Sequence, residues 1–414
     1  MSTVHEQNAL ELPGKAVVKL KMANLRLHSS GVFSNVYRGT LLNPEPRREI
    51  ALKKTWPDRA DGNQRNLELL MLLSLSREKH KNLVQVLFTF QSLGPDKRIC
   101  ESMIFDFLPA TLSSIVKQLG PPDVNFIDIK LYTWQLFNGL FHLESKRICH
   151  RDIKPQNILV DPGCGTLKIG DFGSAKVIKP NMDSTAYQVT RFYRPPELLL
   201  GATKYTTTAD VWSGGCVLGE MLKGRVLFPG RDSKHQFQLI VDTIGFPDNG
   251  DFEAMRASSK LQSAEPEPRG FQQLMPFATT ECYTFLKKIL VYRPNERHRG
   301  KELLLDPFFE DILTSGSKRK NGQLISSVIT SEDIEHIRNP SRNLKKKTRK
   351  KSRRRKSRHR SAEKHKLSDD ERSADKKSGT GKELSGSSEA SARDRSPRSK
   401  NTENVTEDNN QKKI

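Results

Sequence analysis

The stretch HRDIKPQN, His150 to Asn157, sets the tightest constraint on what this chain can fold into. It places one Asp, two basic residues and one Asn in eight positions. A buried structural strand would not carry so many charged or strongly polar side chains. The segment shortly before it, IKLYTWQLFNGLFHLESK, has helical periodicity over about five turns. The polar octet therefore reads as a catalytic loop following an apolar helix.

The surrounding pattern divides into two parts. From Lys21, the stretches NLRLHSS, SNVYRGTLL and REIALKKTW predict strands separated by turns. NLELLMLLSL predicts a helix with an apolar face of Leu67, Leu70, Met71, Leu73 and Leu75. NLVQVLFTF and SMIFDFL predict two further strands. After Pro109 the pattern turns mainly helical up to about residue 312, with TTADVWSGGCVLGEMLKG and TECYTFLKKILVY as further helices. Residues 1–20 read as a short extension. From 313 onward the apolar signal thins, and 313–414 reads as a basic, low-complexity, disordered tail. The expected fold is α+β with two lobes: a small β-rich lobe with one main helix (about 21–107) and a larger helical lobe (about 108–312).

Charge supports this division. Of the formal net charge of +22, residues 342–414 carry +14, from 25 Lys and Arg against 11 Asp and Glu. LKKKTRKKSRRRKSRHR contains no acid and cannot bury a core. It reads as a nuclear localisation signal, a nucleic-acid arm or a solvated tail. The near absence of aromatics leaves non-specific, salt-sensitive phosphate contact as its mode on nucleic acid. RSPRS, Arg395 to Ser399, has a phosphorylatable look. Cys100, Cys149, Cys164, Cys216 and Cys282 are scattered, without C-x-x-C spacing, which points to isolated thiols in a reducing compartment rather than a disulfide framework or zinc site. The N-terminus lacks a long apolar run, and no stretch of about 18 apolar residues predicts a membrane span.

Five features occur in one order. IALKK puts Lys53 on a predicted strand, and Glu68 follows on the predicted helix. HRDIKPQN supplies Asp152, Lys154 and Asn157, GDFGSAK supplies Asp171, and RPPE supplies Glu197. Together, over residues 21–312, these resemble a eukaryotic protein kinase. The resemblance implies ATP and Mg²⁺ as cofactors and protein substrates. Phosphoryl transfer needs charge neutralisation and alignment more than covalent assistance. The resemblance accordingly assigns Lys53 to the α- and β-phosphates, fixed by Glu68, and Asp171 and Asn157 to metal. Asp152 becomes the base for the substrate hydroxyl, and Lys154 steadies the γ-phosphate. Val36 and Ala51 form the adenine roof, Leu159 the floor and Phe105 the gatekeeper, with hinge hydrogen bonds from Asp106 and Leu108. Glu197 is expected to pair with Arg297.

The glycine-rich loop departs from this pattern. G-x-G-x-x-G-x-V reads here SSGVFSNV, Ser29 to Val36, with Gly31 retained and serine at positions 29 and 34. Side chains there stand where backbone approaches phosphate closely, which predicts weakened nucleotide affinity.

CHRDIKPQNILVDP, DFGSAK and YRPPELLLGATKYTTTADVWSGGCVLGEML are most similar to the glycogen synthase kinase-3 (shaggy-like) family. That resemblance implies serine/threonine specificity and an activating phosphotyrosine at Tyr187, facing Arg191 or Arg194. It also implies a pocket for substrates already phosphorylated four residues downstream. Arg151 and Lys176 match two of that pocket's cations, while Leu67 stands where Arg is expected, so primed-substrate dependence is expected to weaken. The family's scaffold-binding stretch, after about Pro266, is poorly matched. The expectation is a signalling kinase, monomeric and not membrane-bound, distributed between nucleus and cytoplasm. The alternative is a low-activity kinase-fold scaffold tethered by its basic tail to nucleic acid or acidic partners.

Overall fold

The computed structural model describes residues 3–31, 34–56, 66–93, 99–179, 190–258 and 267–339. The chain opens with strands β1 (Val4–Glu11), β2 (Val17–Ser30), β3 (Ser34–Asn43) and β4 (Arg48–Thr55), then helix α1 (Leu67–Leu75), then β5 (Phe88–Leu93) and β6 (Ile99–Asp106). Alternate residues of these strands point inward, so Leu20, Met22, Leu41, Ile50, Leu52, Phe88 and Ile104 fill one apolar interior. The strands close as an antiparallel barrel in the order β1-β2-β3-β4-β6-β5. Closure comes from Leu10 opposite Thr89 and Glu11 opposite Phe88. At Gly39 a Cβ would lie 2.6 Å from Leu25 Cδ2 and 3.0 Å from the Ala23 carbonyl oxygen, so the crossing of β2 and β3 requires glycine.

β7 (Ala110–Thr111) and α2 (Leu112–Leu119) lead into the second lobe, followed by α3 (Phe126–Ser145) and β8 (Ile148–Cys149). β9 (Ile158–Asp161), β10 (Thr166–Ile169) and β11 (Lys176–Val177) carry the polar loops. The helices α4 (Pro196–Leu199), α5 (Thr208–Lys223), α6 (Ser233–Ile244), α7 (Asn249–Met255), α8 (Gly270–Leu274), α9 (Thr280–Lys287), α10 (Gly300–Leu304), α11 (Glu310–Leu313) and α12 (Ser331–Arg338) complete the described chain. α3 and α5 are buried nearly all round, with Trp134 and Trp212 fully enclosed. Both also enclose polar side chains, Gln135 and Asn138 in α3 and Asp210 and Glu220 in α5. Among the described residues, no helix is long and apolar enough to cross a membrane. The five thiols form no disulfide.

Three expectations need correction. The expected extension over residues 1–20 is overturned from Val4 onward: β1 and the start of β2 belong to the barrel, seven β1 residues pairing from Val4 opposite Ala23 to Leu10 opposite Val17. Nor does the folded chain stop at 313. Arg319 is buried and grips Asp128 at the start of α3 through Nε to Oδ1 (2.7 Å) and Nη2 to Oδ2 (2.9 Å). It also donates to the carbonyls of Pro162 (2.9 Å) and Gly163 (3.2 Å). α12 starts with a capping box of Thr330 and Asp333, and Asp333 also pairs with Lys81. The basic tail proper, from 340, lies outside the described residues. Finally, the inward face of α1 is Glu68, Leu72 and Leu75, while Leu67 is 70% and Leu70 44% exposed. A helix apolar on every side cannot reveal its buried face by periodicity.

Arg319→Ala should strand the Asp128 carboxylate and the two carbonyls of Pro162 and Gly163 below α3. Thermal or denaturant unfolding should show a loss of about 3–5 kcal/mol. A loss below about 1 kcal/mol would mean the C-terminal segment is not anchored this way.

Candidate active site

The two lobes meet where β4, α1 and the β9–β10 loops converge. β4 lies between β3 and β6, so Lys53 is fixed opposite Val36 on one side and Met103 on the other. Asn66 caps α1 by accepting from the Leu69 N–H (3.0 Å), which sets the helix so that Glu68 points inward. Lys53 Nζ then meets both Glu68 oxygens at 2.7 Å and Asp171 Oδ1 at 3.5 Å. Burial alone would lower the Lys53 ammonium. The carboxylates of Glu68 and Asp171 outweigh it and hold the group above its ordinary value. Burial pushes the Asp171 carboxyl up, but Lys53 and His150 overcome this and keep it below the usual range.

Asp171 adopts the left-handed conformation, φ 55°. That turn sends the Phe172 ring into the core, edge-on to the His150 ring with centroids 4.9 Å apart. His150 Nε2 lies 2.9 Å from the Gly170 carbonyl oxygen. The next residue, Arg151, is also left-handed, φ 68°. Asp210 of α5 holds this bend by accepting the backbone N–H of His150 (2.6 Å) and of Arg151 (2.8 Å). Beyond it, Asp152 Oδ2 accepts from Lys154 Nζ and from Asn157 Nδ2, each at 2.8 Å. Asn157 Nδ2 also donates to the Asp152 carbonyl (2.9 Å), and Lys154 Nζ donates to Thr190 Oγ1 (3.2 Å). The carboxylate is aimed, and the amide oxygen of Asn157 is turned away from it.

Val36 on β3 and Ala51 on β4 are half-buried above this centre, and Leu159 on β9 is half-buried below it. Phe105 pairs with Ala51 across β6 and β4. Asp106 ends β6 and pairs with Arg48 at 3.4 Å, and Leu108 follows two residues on. Ser29 pairs with Val36 across the β2–β3 hairpin, and Gly31 N–H donates to the Ser34 carbonyl (2.8 Å). On the other side of Asp152 a pocket opens, walled by Thr190, Arg194, Pro195, Leu198 and Tyr205.

Glu197 and Arg297 meet at 2.6 and 2.8 Å, both buried, and Arg297 also donates to the Thr208 carbonyl and faces the Trp212 ring at 5.2 Å. Tyr187 lies outside the described residues. Of its two expected partners, Arg191 is engaged with the carbonyls of Gly230 (3.3 Å) and Arg231. Arg194 lines the pocket, where burial and the charge of Arg191 lower it. Arg151 donates to the Ser174 carbonyl (2.6 Å) and Tyr205 hydroxyl (3.3 Å), and Lys176 sits on β11 opposite Cys149. Sequence reasoning missed Asp210 and Thr190. An Asp inside the apolar run TTADVWSGG was the available signal for the first. Thr190 had none.

Residues 26–309 match the protein kinase domain family. This chain belongs to it. It is a serine/threonine kinase similar to glycogen synthase kinase-3. The putative serine/threonine-protein kinase gskl-1 of Caenorhabditis elegans is 37% identical over 327 residues, covering 78% of this chain and 88% of that protein. The probable serine/threonine-protein kinase glkA of Dictyostelium discoideum is 36% identical over 284 residues, 68% of this chain and 57% of that protein. Glycogen synthase kinase 1 of Pyricularia oryzae is 32% identical over 305 residues, 72% and 75% of the two chains.

Because Lys53 helps to keep the Asp171 carboxyl depressed, Lys53→Met should raise its titration midpoint in a carboxyl NMR titration. A depressed folded value contributes stability that is present above the unfolded value and lost as pH falls through the folded one. The variant should therefore lose the Lys53-dependent part of that contribution at neutral pH. An unmoved Asp171 midpoint would contradict the coupling.

Proposed function

We propose that this kinase transfers the γ-phosphoryl group of ATP to Ser or Thr hydroxyls with Asp152 as base. The observation that carries the assignment is the joint geometry: Lys53 held by Glu68 beside Asp171, with the Asp152 carboxylate fixed by Lys154 and Asn157. In such sites alignment and charge placement supply most of the rate. Asp152 accepts the substrate proton at its carboxylate. Lys154, already bridging Asp152 and Thr190, supplies positive charge where the γ-phosphoryl oxygens pass. Lys53 holds the α- and β-phosphates, and Glu68 keeps its ammonium in place. Val36, Ala51 and Leu159 enclose the adenine, with Phe105 behind it and Asp106 and Leu108 as the hinge. Ser29 and Gly31 flank the phosphates.

The donor set suits Mg²⁺, which prefers a few carboxylate and amide oxygens with the rest of its shell from phosphate and water. Asp171 keeps a half-exposed carboxylate, and the pinned Asn157 nitrogen leaves the amide oxygen as donor. Bound there, Mg²⁺ would neutralise phosphate charge.

Asp152→Asn should lower kcat by about 10²-fold or more while leaving the melting temperature near wild type. A kcat within about threefold of wild type would remove Asp152 from the base role.

Substrate choice deviates from the family. A phosphate carrying about −1.5 to −2 charges favours clustered cations. Arg151 and Lys176 are present, but the third position is the exposed Leu67. Losing one charge-assisted contact of about 1.5–3 kcal/mol weakens the preference for a primed peptide by about 10- to 150-fold. Leu67→Arg should increase the ratio of kcat/KM for a peptide with and without phosphoserine four residues after the target. A large wild-type ratio that Leu67→Arg leaves unchanged would assign the pocket to other residues.

The basic tail directs the chain to the nucleus, with contact to acidic or nucleic-acid partners as its chemistry permits. Deleting residues 342–414 should move a tagged protein toward the cytoplasm and spare peptide phosphorylation. Nuclear accumulation of the truncated form would refute this.

A further inference from the structure

Helix α12 lies beyond residue 309, where the match to the kinase domain family ends, yet it reaches a loop that joins two carriers of the catalytic centre. That loop, residues 76–87, runs from α1, which bears Glu68, to β5. Its middle is stitched to β10. Ile169 N–H donates to the Asn82 carbonyl (2.8 Å), Val84 N–H donates to the Ile169 carbonyl (2.9 Å), and Leu83 bridges Ile169 as a parallel pair. Asn82 Nδ2 adds bonds to the Leu167 carbonyl (2.9 Å) and to Gln135 Oε1 of α3 (3.1 Å). Asp171 stands two residues after Ile169, so whatever fixes this loop also fixes the approach of Asp171 to Lys53.

Two elements support the loop. On the α3 side the packing is close: a Cβ on Gly139 would lie 2.8 Å from Ile169 Cδ1 and 3.2 Å from the Asn82 carbonyl oxygen. His80 stacks on His142 of α3 with ring centroids 4.6 Å apart, and Glu78 pairs with Lys146 at the end of that helix. From α12, Asp333 Oδ2 accepts from Lys81 Nζ. The same oxygen accepts from the Thr330 N–H (2.7 Å) and from Thr330 Oγ1 (2.8 Å). α12 is itself fixed, since Ile337 is buried in the main core and the Arg338 carbonyl accepts from Lys301 Nζ of α10 (3.2 Å). With Asp333 already held by the cap, pairing orders little beyond the Lys81 side chain.

We propose that Asp333 is a positioning residue for phosphoryl transfer: through Lys81 it clamps loop 76–87 onto β10 and so sets the Asp171 carboxylate in place. The C-terminal helix is then a working part of the catalytic unit, although it lies outside the span that matches the kinase domain. This role rests on Asp171 as the metal-holding residue proposed above.

The test compares wild type with Lys81→Met, Lys81→Arg, Asp333→Asn and the Lys81→Met/Asp333→Asn double variant, all in the full chain. Asp333→Asn keeps an amide oxygen for the Thr330 N–H and removes the charge that faces Lys81. Four quantities are read: the Mg²⁺ concentration giving half-maximal peptide phosphorylation, KM for peptide, melting temperature, and backbone amide hydrogen exchange. Lys81→Met and Asp333→Asn should each raise the half-saturating Mg²⁺ by about 3- to 10-fold. The peptide KM should stay within about twofold of wild type. The amides of Val84 and Ile169 should exchange faster in both variants, while those of the buried α5 keep their wild-type rates. The double variant should be no worse than either single change. Lys81→Arg, which keeps a cation, should remain within about twofold of wild type in every reading. Wild-type Mg²⁺ dependence and exchange in Lys81→Met would overturn the inference and leave the kinase assignment standing. So would a lowered melting temperature at unchanged half-saturating Mg²⁺, additive effects in the double variant, or a Lys81→Arg variant as impaired as Lys81→Met. A wild-type chain that transfers no phosphate would overturn the proposed function itself, and this role of Asp333 with it.

Discussion

The catalytic centre hangs on one buried carboxylate. Asp210, enclosed in α5, accepts the backbone N–H groups of His150 and Arg151 at 2.6 and 2.8 Å. Burial pushes its carboxyl up, against the opposing pull of the His150 ring and those two bonds. The two bonds hold Arg151 in a left-handed conformation that a side-chain-bearing residue rarely adopts. With that bend fixed, Asp152 faces Lys154 and Asn157, and His150 backs the Phe172 ring below Asp171. α5 can serve as the anchor because it is buried on all sides and tied through Arg297 to Glu197. The chemistry thus rests on a buried helix rather than on the loops that display it.

The charged pairs divide into two kinds. Glu197–Arg297 and Asp128–Arg319 are buried and also engage backbone carbonyls, so losing one partner strands the other. They fix which segments meet, namely α4 against α5 and the C-terminal segment against α3. Lys53–Glu68 is only partly enclosed and joins β4 of the barrel to α1, the element that follows it in the chain. Its value lies in placing a cation beside Asp171.

Most of the site was legible in sequence because its residues stand in short, ordered motifs whose chemistry explains them together. Lys53, Glu68, Asp152, Lys154, Asn157 and Asp171 come together as a set in the structure. What stayed hidden depends on long-range pairing. β1 buries only Ala9, with Val4 and Leu10 exposed, and the pairs with β5 that close the barrel lie some eighty residues away, so VHEQNALE showed no apolar face although β2 pairs with it directly. Arg319 sits in a stretch, SKRKNG, that reads as solvated surface. Only the fold reveals that Asp128 and two carbonyls await it. α1 misled for the opposite reason: apolar residues surround it, and packing selects Leu72 and Leu75 while Leu67 faces outward.

The ion-handling groups of this enzyme are assembled, while its loop SSGVFSNV keeps one glycine of the G-x-G-x-x-G-x-V spacing. The central claim is phosphoryl transfer to serine or threonine. Mass spectrometry of a Ser-, Thr- and Tyr-containing peptide library, incubated with the purified full-length chain and Mg-ATP, tests it most directly. The account predicts phosphate on Ser and Thr residues, including in peptides that carried none beforehand. Phosphate on Tyr alone, or no transfer at all, would contradict it.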